Sequence, residues 1–465
     1  MKDINSTSLL LDDDQFPIVA IASPPAVSAI AVVRLSGQRC HELLKKCILN
    51  SELKEWQANV MKLCKLIDIT NKDILDEPLV VLYDSPRSYT GQDSAEVFLH
   101  GSPYIIQTVL SNFIKAGFRT ATPGEFTRRA FLNGKMDLTK AEGVHELVSA
   151  ASKQQWFAAR QLMSGKLEER TRELRNNLVE AMAFLEAKID FPEEEELTAL
   201  RFEEICRKVS LVDGSIKKLM QTYESGRVSS QGLRVALVGP VNAGKSTLLN
   251  ELLDKDRAIV TDKPGTTRDY LEESCLIDGR LIRLVDTAGL RDSNDSIEVI
   301  GIEKTKELLT QVDVVLLLVP SDLDERSLDY ILETVNNIDS DRIMNVLTKE
   351  DLGFPSWYKQ KDWISISCLQ EKGIEQLKSQ LAKRVDHHMG TISNEVFITS
   401  FRHYSLLEEA QQALGRFFVQ QKQQAFEEML AFELQQAAKS LVNIVGVIHN
   451  DDLLDSIFSK FCIGK

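Results

Sequence analysis

The chain has 465 residues, of which 43% are hydrophobic and 27% are charged. That length allows roughly three domains, and the composition excludes a disordered, fibrous or very small protein. Because 69 acidic residues outnumber 55 basic residues, the formal net charge is −14. This charge disfavours broad nonspecific binding of nucleic acid or anionic membranes, so any contact with RNA is expected to be local.

Cysteine usage and the N-terminal residues bear on the cellular compartment. The seven cysteines are scattered, and none forms a Cys-x-x-Cys pair. This pattern predicts neither a disulfide framework nor a zinc site and favours a reducing compartment. The N-terminus carries Asp12, Asp13 and Asp14 instead of a basic targeting region, and the apolar run 314–319 is too short to span a bilayer. We therefore expect a cytoplasmic protein that does not bind a membrane.

The first part of the chain reads as an α+β domain. Up to about residue 120, helical stretches and turn signals such as Tyr89-Thr90-Gly91 separate β-rich runs. The predicted strands are 17–22, 29–35, 79–83 and 95–99. From 137 to 227 the apolar spacing predicts helices, broken at Phe191-Pro192. The acidic run 193–196 is interpreted as a solvated helix start, because consecutive carboxylates on a helix point in different directions.

The next segment, 233–384, alternates strand-like and helical patterns as a parallel α/β sheet does. Its predicted strands are 234–238, 281–285, 312–319, 343–347 and 363–366. Residues 397–465 read as helix again, which predicts one helical domain with the α/β unit inserted into it. The predicted boundaries are 1–135 for the N-terminal domain, 136–229 and 386–465 for the two parts of the helical domain, and 230–385 for the inserted domain.

A phosphate loop follows the first strand of the inserted domain. The sequence from Gly239 to Thr247 satisfies the GxxxxGK[ST] pattern between a predicted strand and a predicted helix. Backbone N–H groups of such a loop, with the positive end of the helix, bind nucleotide phosphates. Lys245 is expected to reach the β- and γ-phosphates, and the Ser246 hydroxyl is expected to ligate Mg²⁺. A glycine-rich turn with a chance lysine is the alternative.

Four further motifs favour the nucleotide site over that alternative. They are Gly265-Thr266-Thr267-Arg268-Asp269, Asp286-Thr287-Ala288-Gly289, Thr348-Lys349-Glu350-Asp351 and Ser367-Cys368-Leu369. With the phosphate loop they resemble the G1 to G5 series of translation-factor-like GTPases. The resemblance implies that Thr267 completes the Mg²⁺ shell, that Asp286 holds Mg²⁺ through water, and that Gly289 senses the γ-phosphate.

Base selection is assigned to Asp351. Its carboxylate can accept two hydrogen bonds from guanine, whereas adenine offers no such pair of donors. Translation-factor-like GTPases usually have Asn at the position of Thr348, and Ala and Lys at the positions of Cys368 and Leu369. A hydroxyl can still form a hydrogen bond, so we expect the preference for guanine to survive.

The motifs do not show which group orients the attacking water or supplies positive charge for GTP hydrolysis. Leu290 follows the Asp-Thr-Ala-Gly motif, so the glutamine that often orients the attacking water in GTPases is absent. No arginine finger is evident by motif. A monovalent cation held by Asn242 and by oxygens of the following loop could stabilise the charge that develops near the β–γ bridge.

Motifs outside the phosphate loop narrow the resemblance. They are 258–262, 286–291, Tyr89-Thr90-Gly91, 123–127, 129–135, Asp137-Leu138, Ala141-Glu142 and Phe461-Cys462-Ile463-Gly464-Lys465. Together with Asn242 they resemble the MnmE (TrmE) family of tRNA modification GTPases, from about Ile18 to Lys465. The resemblance implies an α+β N-terminal domain that binds folate and dimerises, a helical domain, and an inserted Ras-like P-loop G domain.

The family's activity is implied by the same resemblance. The expected protein is a homodimer that works with the FAD-dependent partner MnmG in a heterotetramer or larger complex. It is expected to add a carboxymethylaminomethyl-type group to carbon 5 of the tRNA wobble uridine, with formyl- or methylene-tetrahydrofolate as donor, and to contact tRNA largely through MnmG. GTP hydrolysis is expected to depend on K⁺, held by Asn242, Thr261, Thr266 and the carbonyl of Lys263. Glu298 aligns with the water-orienting glutamate, although a solvent-facing acidic residue is its alternative.

Two predicted sites result. The nucleotide site comprises Asn242, Ala243, Gly244, Lys245, Ser246, Thr247, Thr261, Asp262, Lys263, Pro264, Gly265, Thr266, Thr267, Asp286, Thr287, Ala288, Gly289, Thr348, Lys349 and Asp351. The resemblance maps folate contacts to Arg34, Glu96, Lys135 and Lys465, and Cys462 to a cysteine near the one-carbon unit. For the basic residues, the alternative is a solvated position on the surface. For Cys462, the alternative is a small buried thiol without a catalytic role.

Departures from the family pattern bear on the folate pocket and the dimer contacts. They are 26–29 in place of a glycine-rich stretch, Gln92 in place of Glu, and Ser102 in place of Gly. The competing hypothesis is a regulatory or ribosome-assembly GTPase that shares only the G domain. The N-terminal motifs and the terminal Cys-Ile-Gly-Lys favour the modification enzyme, because a switch protein does not need them.

Overall fold

The computed structural model describes residues 16–49, 56–190, 195–256, 272–286, 309–358, 363–390, 396–446 and 451–465. The chain forms two compact units. Unit 1 contains the chain up to His145 together with Val442–Lys465, and unit 2 contains Glu146–Leu441. The C-terminal segment therefore groups with the N-terminal residues. The four predicted domain segments do not coincide with these two units and stay a prediction.

The helices occur in both units. In chain order they are α1 (Cys40–Lys46), α2 (Pro103–Ala116), α3 (Glu125–Leu132), α4 (Leu138–Ser149), α5 (Lys153–Met163), α6 (Lys166–Asp190), α7 (Glu195–Gln221), α8 (Tyr223–Gln231), α9 (Lys245–Asp256), α10 (Glu325–Val335), α11 (Ile374–Met389), α12 (Phe401–Lys422), α13 (Glu427–Val445) and α14 (Asp451–Phe458). Within the described ranges, no helix combines the length and the apolar character that crossing a membrane requires.

Unit 1 is built on a six-stranded sheet. Its strands are β1 (Ile18–Ile21), β2 (Ser28–Ser36), β3 (Lys62–Leu63), β6 (Leu79–Tyr83), β7 (Ser94–Gly101) and β8 (Arg119–Thr120), and β4 (Leu66–Ile67) pairs separately with β5 (Ile74–Asp76). The order is β3-β6-β7-β2-β1-β8, antiparallel except between β1 and β8. Alternate residues of β2 and β7, such as Val33 and Val97, are buried in the core, as expected for strands with one covered face.

Helix α2 shows how the sequence covers that sheet. Pro103 is placed at its start, where a missing N–H costs nothing, and Gly117 ends it with a φ of 117°. Ile106, Val109 and Phe113 recur at helical spacing and are buried. The helix therefore packs one apolar face onto the core of unit 1.

Unit 2 contains the second sheet, which positions the phosphate loop. Its strands are β9 (Leu233–Val238), β10 (Glu272–Ile277), β11 (Arg280–Asp286), β12 (Val314–Pro320), β13 (Ile343–Thr348) and β14 (Trp363–Ser365), in the order β10-β11-β9-β12-β13-β14. Only the β10–β11 pair is antiparallel. Every residue of β12 is buried, as in a parallel sheet covered on both faces. The carboxyl ends of the parallel strands meet at one edge, where ligands bind in such sheets.

The rest of unit 2 is helical. Helices α6 and α7 are long, and α7 packs against both α6 and α12. Leu174, Leu178 and Leu185 form part of the buried face of α6. The predicted break between these helices is consistent with their ends at Asp190 and Glu195, although residues 191–194 lie outside the described part of the chain.

The predicted strands are confirmed, although the structure contains further strands. Strands β1, β2, β6 and β7 match the prediction for unit 1, as β9 and β11 to β14 do for unit 2. The sequence reasoning missed β10 and the short strands β3, β4, β5 and β8. An Asp278-Gly279 turn with positive φ at both residues joins β10 to β11, a hairpin signal that could have revealed it. The predicted helical character of 397–465 is confirmed by α12 to α14, but the residues after Phe458 are not helical.

Candidate functional site

The phosphate loop connects the end of β9 to the start of α9. Asn242 and Gly244 both adopt left-handed backbone conformations, with φ of 63° and 88°. A Cβ on Gly239 would lie 2.3 Å from the carbonyl oxygen of Leu318, so only glycine fits there. The loop thus turns sharply before the helix, which directs the helix N-terminus toward the loop.

The ammonium group of Lys245 contacts the backbone of this loop. Its side chain is buried, and Nζ donates hydrogen bonds to the carbonyl oxygens of Gly239 at 2.8 Å and Pro240 at 2.7 Å. The ammonium group therefore lies beside the backbone that binds phosphate in such loops. This placement supports the predicted role of Lys245 at the phosphates.

A cavity of about 610 Å³ joins the phosphate loop to the ends of β13 and β14. Its size lies within the usual range for small-molecule sites. Its lining residues are Val241, Asn242, Ala243, Gly244, Lys245, Ser246, Thr247, Thr348, Lys349, Asp351, Ile366, Cys368 and Leu369. The structure therefore brings three of the five predicted motifs together, as a site that binds phosphates at one end and a base at the other requires.

Hydrogen bonds orient the side chains at the end of the cavity that is predicted to bind the base. The Thr348 hydroxyl donates to the carbonyl oxygen of Ala243 at 2.7 Å, and the Ser367 hydroxyl donates to Asp351 Oδ1 at 2.5 Å. The Lys349 ammonium forms an ion pair with Asp322 Oδ2 at 3.0 Å. Asp351 is thus oriented by a neighbouring hydroxyl. Ser367 and Ile366 were not among the predicted site residues, although Ser367 begins the fifth motif.

The departures at Cys368 and Leu369 add two apolar side chains to this end of the cavity. Burial, and after it the charge of Glu251, raise the pKa of the Cys368 thiol. Leu369 is 85% exposed and stands at the cavity wall. A neutral thiol and an isobutyl group can contact the face of a base, but they add no charge to its recognition.

A second cluster forms in unit 1 around Arg34. Arg34 and Glu96 are direct partners across β2 and β7, and Arg34 Nη2 lies 2.8 Å from Glu96 Oε1. The guanidinium also donates to the carbonyl oxygen of Gly464 at 2.9 Å. It lies 5.9 Å from the ring centroids of Tyr89 and of Phe126. The predicted residues Arg34, Glu96 and the C-terminus therefore meet in one place.

The C-terminal turn is fitted closely into this cluster. Gly464 has a φ of 93°, and a Cβ there would lie 2.4 Å from the carbonyl oxygen of Ile21. The Cys462 carbonyl accepts a hydrogen bond from Gly124 N at 3.4 Å, and the side chain is partly buried. Burial, and then the positive charge of Arg34, lower the pKa of the half-buried Lys465 ammonium group. The Lys465 amino group is therefore near enough to Arg34 for the Arg34 charge to disfavour its protonated form.

Known proteins resemble the chain along almost its whole length. A family model described as the GTP-binding protein TrmE N-terminus matches residues 17–135, and one described as the MnmE helical domain matches residues 138–462. A tRNA modification GTPase MnmE of Aquifex aeolicus is 39% identical over 97% of this chain and 99% of that protein. One of Chlorobium chlorochromatii is 37% identical over 98% of this chain and 99% of that protein. The chain belongs to the MnmE family. As a member of that family it is a GTPase, and the predicted fold of N-terminal, helical and P-loop domains is confirmed.

Some residues that the resemblance to MnmE maps to these sites lie outside the described part of the chain. They are Thr261, Asp262, Lys263, Pro264, Gly265, Thr266, Thr267, Thr287, Ala288, Gly289 and Glu298. Their roles at Mg²⁺, K⁺ and the attacking water stay predictions. Asp286 ends β11, where its backbone is in register with Leu237 of β9. Ser246, which lines the cavity in the first turn of α9, has the hydroxyl oxygen that suits Mg²⁺.

Lys135 is a predicted folate contact in this member of the MnmE family. Whereas Arg34 contacts the C-terminal turn, the Lys135 side chain contacts the segment around Pro86 and Gly91. Its Nζ donates to the carbonyl oxygen of Pro86 at 2.8 Å, and a Cβ on Gly91 would lie 3.3 Å from Lys135 Cγ. Sequence reasoning found Tyr89 and Phe126 in motifs of the family but did not assign them or Tyr83 to the folate site. Tyr83 donates to Glu96 Oε2 at 3.3 Å, and its place at the end of a buried strand was the available signal.

The departure at Gln92 lies in a buried network next to this cluster. The amide oxygen of Gln92 accepts a hydrogen bond from Arg129 Nη1 at 3.0 Å, and Arg129 Nη2 pairs with Glu125 at 2.8 Å. Burial raises the pKa of Glu125, but hydrogen bonds from Arg119 and the Thr122 backbone outweigh burial and hold that pKa below its usual value. A neutral amide at position 92 thus still satisfies the buried arginine.

Proposed function

We propose that this chain is a K⁺-dependent GTPase that modifies the tRNA wobble uridine in the cytoplasm. With MnmG as partner, it would help to add a carboxymethylaminomethyl-type group to carbon 5, using a tetrahydrofolate one-carbon donor. The cavity that joins the phosphate loop to Asp351 is the observation that carries the GTPase part of the proposal. The names of the full-length relatives, tRNA modification GTPases, support the substrate.

In this proposal the residues of the cavity bind and orient GTP. Asp351 accepts hydrogen bonds from the guanine donors, and the loop N–H groups with Lys245 bind the phosphates. Ser246, with Thr267, would hold Mg²⁺, and Asn242 with the loop from Thr261 would hold K⁺. When bound, these cations offset the negative charge that develops on the phosphates.

The cluster in unit 1 is proposed as the folate site. Arg34 lies beside the Tyr89 and Phe126 rings, and its charge acts on the nearby Lys465 ammonium group, which suits a flat, anionic ligand. Glu96 can accept hydrogen bonds from a pterin amino group. Cys462 lies in the same C-terminal turn, next to the proposed folate site. Lys135 joins this proposal only through the family resemblance.

We base three further parts of the proposal on the family resemblance and on the net charge of the chain. They are homodimerisation, the complex with MnmG, and the use of MnmG as the main tRNA-binding surface. The net charge of −14 supports a partner that supplies most of the positive surface for tRNA. Restoration of modified wobble uridine, in cells lacking their own enzyme and supplied with this chain, tests the whole proposal. Full folding and GTPase activity without modified uridine would contradict it and favour the regulatory switch.

The cation dependence has a sharper test. We expect GTP turnover to rise strongly when Na⁺ is replaced by K⁺, and to lose that response in Asn242→Ala. Because Asn242 has a φ of 63°, a second variant, Asn242→Gly, separates loss of the amide from backbone strain. Both variants should lose the response. Equal turnover of the wild type in the two salts would exclude the cation mechanism.

A further inference from the structure

In the hydrogen bond between Thr348 and Ala243, the Thr348 hydroxyl must be the donor. The side chain is 4% exposed, and Oγ1 lies 2.7 Å from the carbonyl oxygen of Ala243, which is fully buried. A carbonyl oxygen carries no hydrogen, so the hydroxyl must donate. Because a hydroxyl has one hydrogen, Thr348 has no donor left for a ligand.

Two neighbouring polar side chains also use donors for contacts within the protein. Ser367 donates its hydroxyl hydrogen to Asp351 Oδ1, and the Lys349 ammonium is paired with Asp322. Asp351 itself, as a carboxylate, can only accept. Toward a base, Thr348 and Asp351 therefore present lone pairs.

Guanine has two kinds of polar group. Its N1–H and 2-amino groups donate, whereas N7 and O6 accept. The lone pairs of Asp351 suit the donors. An acceptor such as N7 would gain nothing from the Thr348 oxygen, whose hydrogen points to Ala243.

We propose that Thr348 is a positioning residue, which ties the phosphate loop to the end of β13, and that this chain selects guanine through its donors without a hydrogen bond to N7. The proposal rests on the GTPase function proposed above and specifies the base recognition of that site. Guanine nucleotides altered at position 7 should therefore be accepted as well as GTP.

Binding of three nucleotides to the full-length chain tests this directly. The probes are GTP, 7-deaza-GTP, in which C–H replaces N7, and inosine triphosphate, which lacks the 2-amino group. We expect Kd values for GTP and 7-deaza-GTP within about twofold, and binding of inosine triphosphate weaker by about tenfold or more. Binding of 7-deaza-GTP at least about fivefold weaker than GTP would overturn the inference and leave the GTPase function intact. Failure of GTP itself to bind would overturn both.

Substitutions at Thr348 separate a positioning role from direct reading of the base. Thr348→Val keeps the shape but removes the hydrogen, so affinity should fall about five- to tenfold for GTP and 7-deaza-GTP alike. Thr348→Ser should recover most of that loss. Thr348→Asn supplies two N–H donors, so one can hold Ala243 while the other reaches N7, and this variant should bind 7-deaza-GTP several-fold more weakly than GTP. A loss confined to GTP in Thr348→Val would overturn the proposal, and the wild-type comparison decides it even if that variant does not fold.

Discussion

The nucleotide site and the Arg34 cluster differ in how their residues are distributed along the chain. The phosphate loop lies within nine consecutive residues, from Gly239 to Thr247, and its spacing alone predicts its chemistry. The Arg34 cluster joins β2 and β7 to the last residues of the chain, and one of its hydrogen bonds spans 430 positions. The phosphate loop is therefore defined by sequence spacing, whereas the Arg34 cluster forms only when unit 1 is folded.

The largest expected effect is at the local site. Removal of the ammonium group in Lys245→Ala should lower GTP turnover by about 100- to 1,000-fold, because a fixed positive charge next to the transferring phosphoryl group is lost. Steady-state turnover, with circular dichroism to verify folding, measures this. A loss below about tenfold would show that the charge at Lys245 is not central to hydrolysis.

An intermediate effect is expected at the long-range site. Gly464→Ala would place a Cβ 2.4 Å from the carbonyl oxygen of Ile21 at a residue with positive φ, so the C-terminal turn must shift. We expect a loss of about 1–3 kcal/mol in the free energy of unfolding of unit 1, together with weaker binding of formyl-tetrahydrofolate. Urea unfolding and calorimetric titration measure the two effects.

Gly134→Ala is the matched control for this change. Gly134 also has a positive φ, of 67°, but a Cβ there would meet no atom within 4 Å. It should cost only the backbone strain, about 1 kcal/mol, and leave folate binding intact. Equal effects of the two substitutions would mean that the close fit of the C-terminal turn has no role in the site.

The smallest expected effect concerns acid stability. Because the pKa of Glu125 is lowered in the folded state, its carboxylate stabilises the fold above the unfolded pKa of about 4.3, and that stability is lost as the pH falls through the folded value. The difference in unfolding free energy between wild type and Glu125→Gln should therefore shrink on acidification, by at most about 1.4 kcal/mol per pH unit. A difference that stays constant from pH 6 to pH 3, followed by urea midpoints, would contradict this account.

Much of the fold and of the nucleotide site is predictable from local patterns. The all-apolar run in β12 and the alternation in β2 each predict their strand, because burial on two faces or one dictates the spacing of apolar residues. Strand β10 was missed because only part of its sequence, Glu-Glu-Ser-Cys-Leu-Ile, is apolar. Its place in the sheet depends on pairing with β11.

By itself, the sequence determined the phosphate loop and the family to which the chain belongs, and it predicted Asp351 as the residue that selects guanine. Only the tertiary structure decided that the C-terminal turn packs beside Arg34, that Lys135 contacts Pro86, and that the hydrogen of Thr348 is used within the protein. The physical reason is the short range of these interactions. A hydrogen bond forms only when donor and acceptor lie about 3 Å apart, and folding sets that distance for residues far apart in the chain.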